Sequence, residues 1–281
     1  MKLISFVTDG VSSYGVLEGT TVKDLGAVLR GRFPTLKALL GEDFLSIAQE
    51  TEAPRLARSA VQLLPPVPDP AKILCIGKNY EEHRVETGGE KLAYPTIFTR
   101  FADTLVADGQ DAWAPGVSSE IDFEGELAVV IGRAGRHIAL EDALSHVAGY
   151  ACFNDISIRD WQRHTTQFTP GKNFPRTGGF GPWIVTADEI ADPQALDLTT
   201  WLNGDEVQKA NTAEMIFNIR ALIHYCSSFT QLSPGDVIAT GTPGGVGAKR
   251  KPQLFMKVGD VVEIEIASVG TLRNSIGEGK A

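Results

Sequence analysis

Acidic residues at alternate positions mark the segment of this sequence that is best suited to chemistry. Asp122, Glu124 and Glu126 lie in IDFEGELAVVI, residues 121–131, beside the uninterrupted apolar run 127–131. In a strand, alternate side chains share one face at a spacing of about 7 Å. Carboxylates at the mouth of a buried strand repel one another unless a cation joins them. Their oxygens suit Mg²⁺, Mn²⁺ or Ca²⁺ better than zinc or copper. The spacing favours a metal site, and a solvated acidic face would show the same pattern.

Asp155 is a further carboxylate and follows the strand-like run GYACFN, residues 149–154. Ligands often lie on loops at strand ends, so Asp155 is a candidate ligand. It could equally cap the turn that comes next. In that turn Arg159 and Gln162 share one face if the turn is helical.

A histidine and a glutamate three residues apart form the candidate acid–base pair. His83 and Glu86 would be neighbours on a helix, where the carboxylate can orient the imidazole as a general base. The glycines at 88 and 89 would let such a helix move as a lid. A solvated charged helix is the alternative interpretation of this segment.

Two further segments could contact an anion. Lys172 lies in the turn-like segment PGKNF, where its ammonium could stabilise an oxyanion or simply be exposed. The loop ATGTPGGVG, residues 239–247, contains Gly241 and Thr242 and could offer backbone N–H groups to an anion, or be a plain turn. It is not a P-loop, because no Lys-Ser/Thr pair follows it.

The elements that would position these residues are mostly strands. Apolar or β-branched runs bounded by Gly, Pro and Asp predict strands over residues 3–7, 15–17, 72–76, 96–100, 123–131, 149–154, 181–186, 198–202, 236–240 and 260–266. Helical patterns are fewer and cover residues 22–30, 35–49, 80–86, 140–146 and 212–229. The pattern predicts an α+β, mostly β fold built around a rolled or sandwiched sheet.

A proline-rich connector, PPVPDP at residues 65–70, predicts a domain boundary. We expect a small N-terminal α/β domain over residues 1–65 and a catalytic domain over residues 66–281. The first of these contains no histidine and no other obvious chemistry.

Composition narrows the class of protein. The net charge of −9 provides no basic stripe for nucleic acid. The longest apolar runs are too short to cross a bilayer, and the first ten residues do not form a signal peptide. Three well-separated cysteines, Cys75, Cys152 and Cys226, suggest reduced thiols. We therefore expect a cytoplasmic protein that binds neither nucleic acid nor membrane.

Five motifs in order resemble the fumarylacetoacetate hydrolase family, and more specifically its bacterial acylpyruvate hydrolase and 2-hydroxyhepta-2,4-diene-1,7-dioate isomerase-like members. They are GKNYEEHRVE, DFEGELAVVIG, FNDISIRDWQ, GKNF and GDVIATGTPGGVG, and the similarity covers roughly residues 70–276. It implies the family's mixed rolled β-sheet, a homodimer, and one Mg²⁺ or Mn²⁺ per subunit. The implied metal ligands are Glu124, Glu126 and Asp155, with Asp122 as a neighbour behind them.

The resemblance also implies roles for the other candidate residues. His83 and Glu86 would activate water, and Lys172 would stabilise the oxyanion. Arg159, Gln162, Thr242 and Gly241 would contact the substrate.

The function that this implies is metal-dependent hydrolysis of the C–C bond of a 3-acylpyruvate, such as fumarylpyruvate, maleylpyruvate or a 2,4-dioxo-3-deoxy sugar acid, in a catabolic route. Water activated by His83 would attack C4, and pyruvate would leave as its enolate. Oxaloacetate decarboxylation and isomerisation of 2-hydroxymuconate-type acids use the same enolate and are the alternatives. A non-catalytic β-rich binding protein is a more remote alternative.

Overall fold

A computed structural model describes residues 1–279 as two packed β-sheets flanked by helices. The strands are β1 (Lys2–Thr8), β2 (Val11–Glu18), β3 (Thr21–Lys23), β4 (Arg55–Ala57), β5 (Gln62–Leu64), β6 (Ile73–Gly77), β7 (Thr96–Arg100), β8 (Leu105–Val106), β9 (Ala112–Ala114), β10 (Ile121–Asp122), β11 (Gly125–Ile131), β12 (Val147–Asp155), β13 (Ser157–Ile158), β14 (Gly178–Thr186), β15 (Asp197–Leu202), β16 (Asp205–Asn211), β17 (Val237–Ala239), β18 (Val261–Ile266) and β19 (Gly270–Glu278). The helices are α1 (Gly26–Leu29), α2 (Leu36–Leu40), α3 (Phe44–Glu50), α4 (Glu81–Glu86), α5 (Arg159–Gln162), α6 (Thr169–Lys172) and α7 (Ile219–Phe229).

The larger sheet has twelve strands in the order β4-β3-β2-β1-β14-β12-β11-β17-β6-β7, with β5 beside β1 and β8 beside β14. A second sheet has the order β16-β15-β18-β19-β9, and β10 pairs with β13 in a two-stranded ladder. Most neighbours are antiparallel, whereas β17–β6, β14–β8 and β19–β9 are parallel. The chain therefore has the mixed, mostly β architecture that the sequence predicts.

Strand β11 shows why the carboxylates are followed by an unbroken apolar run. Leu127, Val129 and Ile131 pack in the core between the two sheets. Ala128 and Val130 point the other way, into the core beneath helices α2 and α3. A strand that is covered on both faces needs apolar side chains at every position.

The N-terminal segment extends the larger sheet rather than standing apart from it. Strand β1 pairs with β14, with Lys2 opposite Val185 and Leu3 opposite Ile184. The proposed domain boundary at residue 65 stays a prediction.

Several helices differ from those expected. The pattern over residues 22–30 contains the end of β3 and only the short helix α1, and the pattern over residues 35–49 is divided into α2 and α3. Residues 143–146 form a single 3₁₀ turn. Helix α7 begins at Ile219 because the Asn218 side chain caps it, accepting the N–H of Ala221 at 2.9 Å.

The strand order brings the candidate residues to one edge. Strand β11 is antiparallel to both β12 and β17, and β17 is parallel to β6. The start of β11 therefore lies beside the ends of the other three strands, which lead to Asp155, to the loop after Ala239, and to helix α4. No helix within residues 1–279 is long and apolar enough to cross a membrane.

Candidate active site

A buried acidic triad occupies this edge. Glu124, Glu126 and Asp155 each offer an oxygen, and these atoms all lie within 4.8 Å of one another. Glu126 and Asp155 are almost inaccessible to solvent, with 1% and 0% exposed, and Glu124 is 5% exposed. Three carboxylates this close in a dry environment require positive charge.

The protein supplies part of that charge. Lys172 Nζ donates to Glu124 Oε2 at 2.7 Å and also to the carboxylate of Asp155. Arg100, at the end of β7, pairs with Asp155 and is itself buried. Arg159 Nη2 lies 2.8 Å from Glu124 Oε1. These cations are concentrated on Glu124 and Asp155.

Of the three carboxylates, Glu126 has the negative charge that nearby cations compensate least. Its carboxylate accepts the backbone N–H of Gly241 at 2.9 Å. Burial first, and then the charges of Asp155 and Glu124, raise the pKa of Glu126 well above its usual range. Burial also raises the pKa of Glu124, but Lys172 and Arg159 outweigh it and hold this pKa below its ordinary value. At Lys172, burial lowers the pKa of the ammonium, but the charges of Asp155 and Glu124 outweigh this effect and raise the pKa.

The donor set fits a divalent cation. It consists entirely of carboxylate oxygens, as hard ions such as Mg²⁺ and Mn²⁺ prefer. A cation shared by the three carboxylates would offset the repulsion that burial imposes on Glu126. The structure therefore brings together the three residues that were predicted as ligands, in an arrangement that suits the ion.

The predicted acid–base pair lies on helix α4. His83 Nδ1 lies 2.7 Å from Glu86 Oε1, and Glu86 Oε2 accepts the N–H of Gly245 at 3.0 Å. Because Glu86 occupies Nδ1, Nε2 is the nitrogen that remains available as a base. His83 is 6% exposed and lines a cavity together with Glu124 and Glu126.

The glycine-rich loop lies directly against this helix. A Cβ atom on Gly244 would come within 2.5 Å of Glu82 Cγ. A larger residue at position 244 would have to displace the Glu82 side chain, so glycine favours the close approach of the loop to helix α4.

The cavity has a volume of about 350 Å³, large enough for a small organic acid. Glu124 and Glu126 of the triad line its acidic end. Five cationic side chains also line it: Lys78, Arg159, Arg163, Lys172 and Lys249. The cavity is therefore suited to an anionic ligand even though the whole chain is acidic.

Of the four residues predicted to contact substrate, three line the cavity and one does not. Arg159, Gln162 and Thr242 line the cavity. Gly241 is not among the lining residues, and its N–H is directed to Glu126. At φ +99°, with Asn79 Cβ 2.7 Å from where its own Cβ would be, position 241 requires glycine.

Asp122 is fully buried behind the triad and holds Arg159. Its Oδ2 accepts Arg159 Nε at 2.8 Å, and its Oδ1 accepts the N–H of Gly247 at 2.7 Å. This matches its expected place as a neighbour of the ligands.

Sequence reasoning missed Arg100, Gln208, Arg163 and Lys249. Arg100 ends an otherwise uncharged strand, TIFTR, and a lone charge in such a run is the signal that could have identified it. The other three carry no comparable signal.

Comparison with known proteins decides the family. A family model described as fumarylacetoacetate (FAA) hydrolase C-terminal matches residues 72–277. The chain belongs to the fumarylacetoacetate hydrolase family. The resemblance drawn from the five motifs is confirmed, and so is the fold class that it implies.

Several relatives within this family are named as enzymes. A human mitochondrial oxaloacetate tautomerase is 44% identical over 241 residues, which cover 84% of this chain and 77% of the relative. The oxaloacetate tautomerase YisK of Bacillus subtilis (strain 168) is 43% identical over 223 residues, covering 78% and 74% of the two chains.

Solved structures have the same fold over the full length of this chain. A putative HpcE protein from Mycobacterium smegmatis has a TM-score of 0.91 at 34% identity, covering 100% of both chains. Maleylpyruvate hydrolase from Sphingobium sp. SYK-6, in complex with manganese(II) and pyruvate, has a TM-score of 0.83 at 31% identity, also over 100% of both. This member of the fumarylacetoacetate hydrolase family is thus an enzyme with a buried site for a divalent metal. The homodimer and the cytoplasmic location stay predictions.

Proposed function

We propose that the protein catalyses the keto–enol tautomerisation of oxaloacetate. The observation that carries this proposal is the composition of one cavity, in which His83 and two carboxylates of the triad lie beside more cationic side chains than an enolate oxygen alone would need. The names of the relatives that are 43–44% identical to this chain point to the same substrate. The alternative considered from the sequence, decarboxylation of oxaloacetate, shares this substrate but not this reaction, and the relatives therefore favour oxaloacetate over an acylpyruvate as the substrate.

His83 performs the proton transfer in this proposal. The C3–H bond of the keto form breaks, its proton passes to Nε2, and the electron pair moves to the C2 oxygen as an enolate. Proton return to that oxygen gives the enol, so atoms and charge balance. Glu86 holds the ring through Nδ1 and stabilises the imidazolium.

The enolate needs positive charge near the C2 oxygen. Lys172 and Arg159 line the cavity beside the triad and can provide it. A divalent ion on Glu124, Glu126 and Asp155 would act as a Lewis acid toward the same oxygen.

The second carboxylate of oxaloacetate requires a separate cationic contact. Lys249 lines the cavity and, within residues 1–279, takes part in no ion pair. Arg163 also lines it but pairs with Glu120 at 2.5 Å. Lys78 lines the cavity as well and, in the same part of the chain, takes part in no ion pair, so Lys249 and Lys78 are both better candidates than Arg163 for binding the distal carboxylate of a dicarboxylic 2-oxo acid.

Hydrolysis of an acylpyruvate is the second candidate. It is favoured by the overall similarity to maleylpyruvate hydrolase, and it needs the same base to act on water instead of on C3–H. The two reactions differ in product, because only hydrolysis releases pyruvate together with a second acid.

The test is to measure both products on the same preparation. With Mn²⁺ present, the protein should accelerate the ultraviolet absorbance change of enol–keto interconversion of oxaloacetate without forming pyruvate. His83→Ala should slow this by about 10²- to 10⁴-fold. His224→Ala is the control, because its ring contacts the carbonyl oxygen of Ile138 instead of the site.

Two outcomes would overturn the proposal. Stoichiometric pyruvate from oxaloacetate would identify a decarboxylase. A kcat/KM for maleylpyruvate above that for oxaloacetate would identify an acylpyruvate hydrolase.

A further inference from the structure

Gln208 is a buried amide that joins the second sheet to two parts of the site. It lies on β16 and is 2% exposed. Its Oε1 accepts the N–H of Gly125 at 3.0 Å, and its Nε2 donates to Thr242 Oγ1 at 2.9 Å and to the carbonyl oxygen of Pro243 at 3.0 Å. Gly125 separates the two glutamates of the triad, and Thr242 lines the cavity.

The orientation of this amide is fixed by its partners. The N–H of Gly125 can only donate and the carbonyl of Pro243 can only accept, so Oε1 must face the first and Nε2 the second. Thr200 supports the arrangement, since its Oγ1 donates to Oε1 at 2.9 Å.

The same contacts determine where the hydroxyl proton of Thr242 points. Because Nε2 donates to Oγ1, the threonine oxygen is used as an acceptor, and its own proton is directed elsewhere. Among the hydrogen bonds of residues 1–279, Thr242 Oγ1 donates none. The side chain lines the cavity, so this proton is available to an anionic ligand there.

The close approach of the second sheet also fixes Gly125. A Cβ atom at this position would lie 2.2 Å from Thr200 Oγ1. Only glycine between the two glutamates lets Gln208 reach the backbone of the triad.

We propose that Gln208 is a positioning residue that directs the Thr242 hydroxyl toward the carboxylate of the bound 2-oxo acid. It holds that hydroxyl at a fixed place relative to Gly125, which lies between Glu124 and Glu126. The inference rests on the proposed function for its ligand class, but it concerns binding and not the reaction that follows.

The test uses pyruvate as the probe and measures its dissociation constant on Mn²⁺-loaded protein by calorimetry. Gln208→Glu keeps an acceptor for Gly125 but replaces the donor to Thr242 with an acceptor, so the hydroxyl should turn toward residue 208. We expect pyruvate affinity to fall about tenfold, the effect of losing one hydrogen bond to a charged group, while Mn²⁺ affinity is unchanged. In oxaloacetate turnover, KM should rise by a similar factor with kcat retained.

Thr242→Val removes the hydroxyl and leaves Gln208 in place. It should weaken pyruvate binding by the same factor, and Gln208→Glu should add nothing in that background. Gln194→Glu is the matched control, because Gln194 also joins a backbone N–H, that of Ile219, to a carbonyl oxygen, that of Thr212, away from the cavity.

An unchanged pyruvate affinity in folded Gln208→Glu, or effects that multiply in the double variant, would overturn the inference. If Gln208→Glu does not fold, unchanged affinity in Thr242→Val overturns it. Parent protein that binds pyruvate but leaves oxaloacetate unchanged would refute only the proposed function.

Discussion

The two ends of the central strands treat buried carboxylates in opposite ways. At the end remote from the site, Asp236 precedes β17 and is fully buried. It accepts the N–H of Lys72 at 3.0 Å and that of Ser233 at 2.8 Å, and it pairs with Lys72 Nζ at 2.9 Å. The local chain thus compensates this charge completely.

At the other end, Glu126 accepts one backbone N–H and faces two carboxylates. The chain has used its cations on Glu124 and Asp155, and Glu126 is left with a raised pKa. The difference between Asp236 and Glu126 shows that burial alone does not identify a functional carboxylate. Incomplete local compensation does, because it leaves a place for a ligand cation.

The largest expected effect comes from removing the uncompensated charge. Glu126→Gln keeps the shape and the oxygen that accepts from Gly241, but it removes a metal ligand. We expect saturable Mn²⁺ binding to disappear and kcat/KM to fall by at least about 10³-fold, since a catalytic cation contributes several kcal/mol. Calorimetry and oxaloacetate turnover would measure these losses; wild-type metal affinity would refute the assignment of the triad.

The same variant should stabilise the metal-free protein. A raised pKa means that folded Glu126 retains its proton where the unfolded residue has lost it. The stability of the parent therefore falls as pH rises from the ordinary glutamate pKa through the raised one. Glutamine lacks this loss, so the unfolding temperature of the variant should exceed that of the parent by more at higher pH.

Removing the compensated charge of Asp236 should instead destabilise the protein. Asp236→Ala leaves the Lys72 ammonium and two partly buried N–H groups without their partner, and we expect the free energy of unfolding to fall by about 2–3 kcal/mol. Mn²⁺ affinity should not change. Denaturant unfolding would measure the loss, with Asp69→Ala as the control, because its ion pair with Lys37 is exposed and contributes less than about 1 kcal/mol.

The smallest effect concerns a cation that the cavity lining leaves unpaired. Lys249→Ala should raise KM for oxaloacetate about tenfold by removing one charged contact, while pyruvate, which has one carboxylate, should bind as before. Lys257→Ala removes another exposed lysine, one that is not among the cavity-lining residues. Equal losses for both ligands would contradict a role for Lys249 in binding the distal carboxylate.

Much of the site could be predicted because its signals are local. Alternation placed Glu124 and Glu126 on one face, and a separation of three residues made His83 and Glu86 neighbours on a helix. The apolar run after Glu126 correctly indicated a strand that is buried on both faces. Each of these inferences depends on the spacing of residues that are close together in the sequence.

The remaining contacts depend on strand order, which the sequence does not display. Arg100 reaches Asp155 across 55 positions, and Gln208 reaches Gly125 across 83. Helix boundaries failed for a related reason: residues 21–23 pair with β2 and β4 as a strand, so tertiary pairing overrode the local helical pattern.

The two contacts of the Glu86 carboxylate link the position of helix α4 to the orientation of the base. Its two oxygens have different partners, the base His83 and the N–H of Gly245 in the neighbouring loop. Docking of the helix and alignment of the base are therefore one event, because a helix that leaves the loop loses the anchor of its own carboxylate. Proton abstraction by an aligned His83 therefore requires helix α4 to stay docked on the loop, and any motion of the helix away from it would remove the alignment of the base.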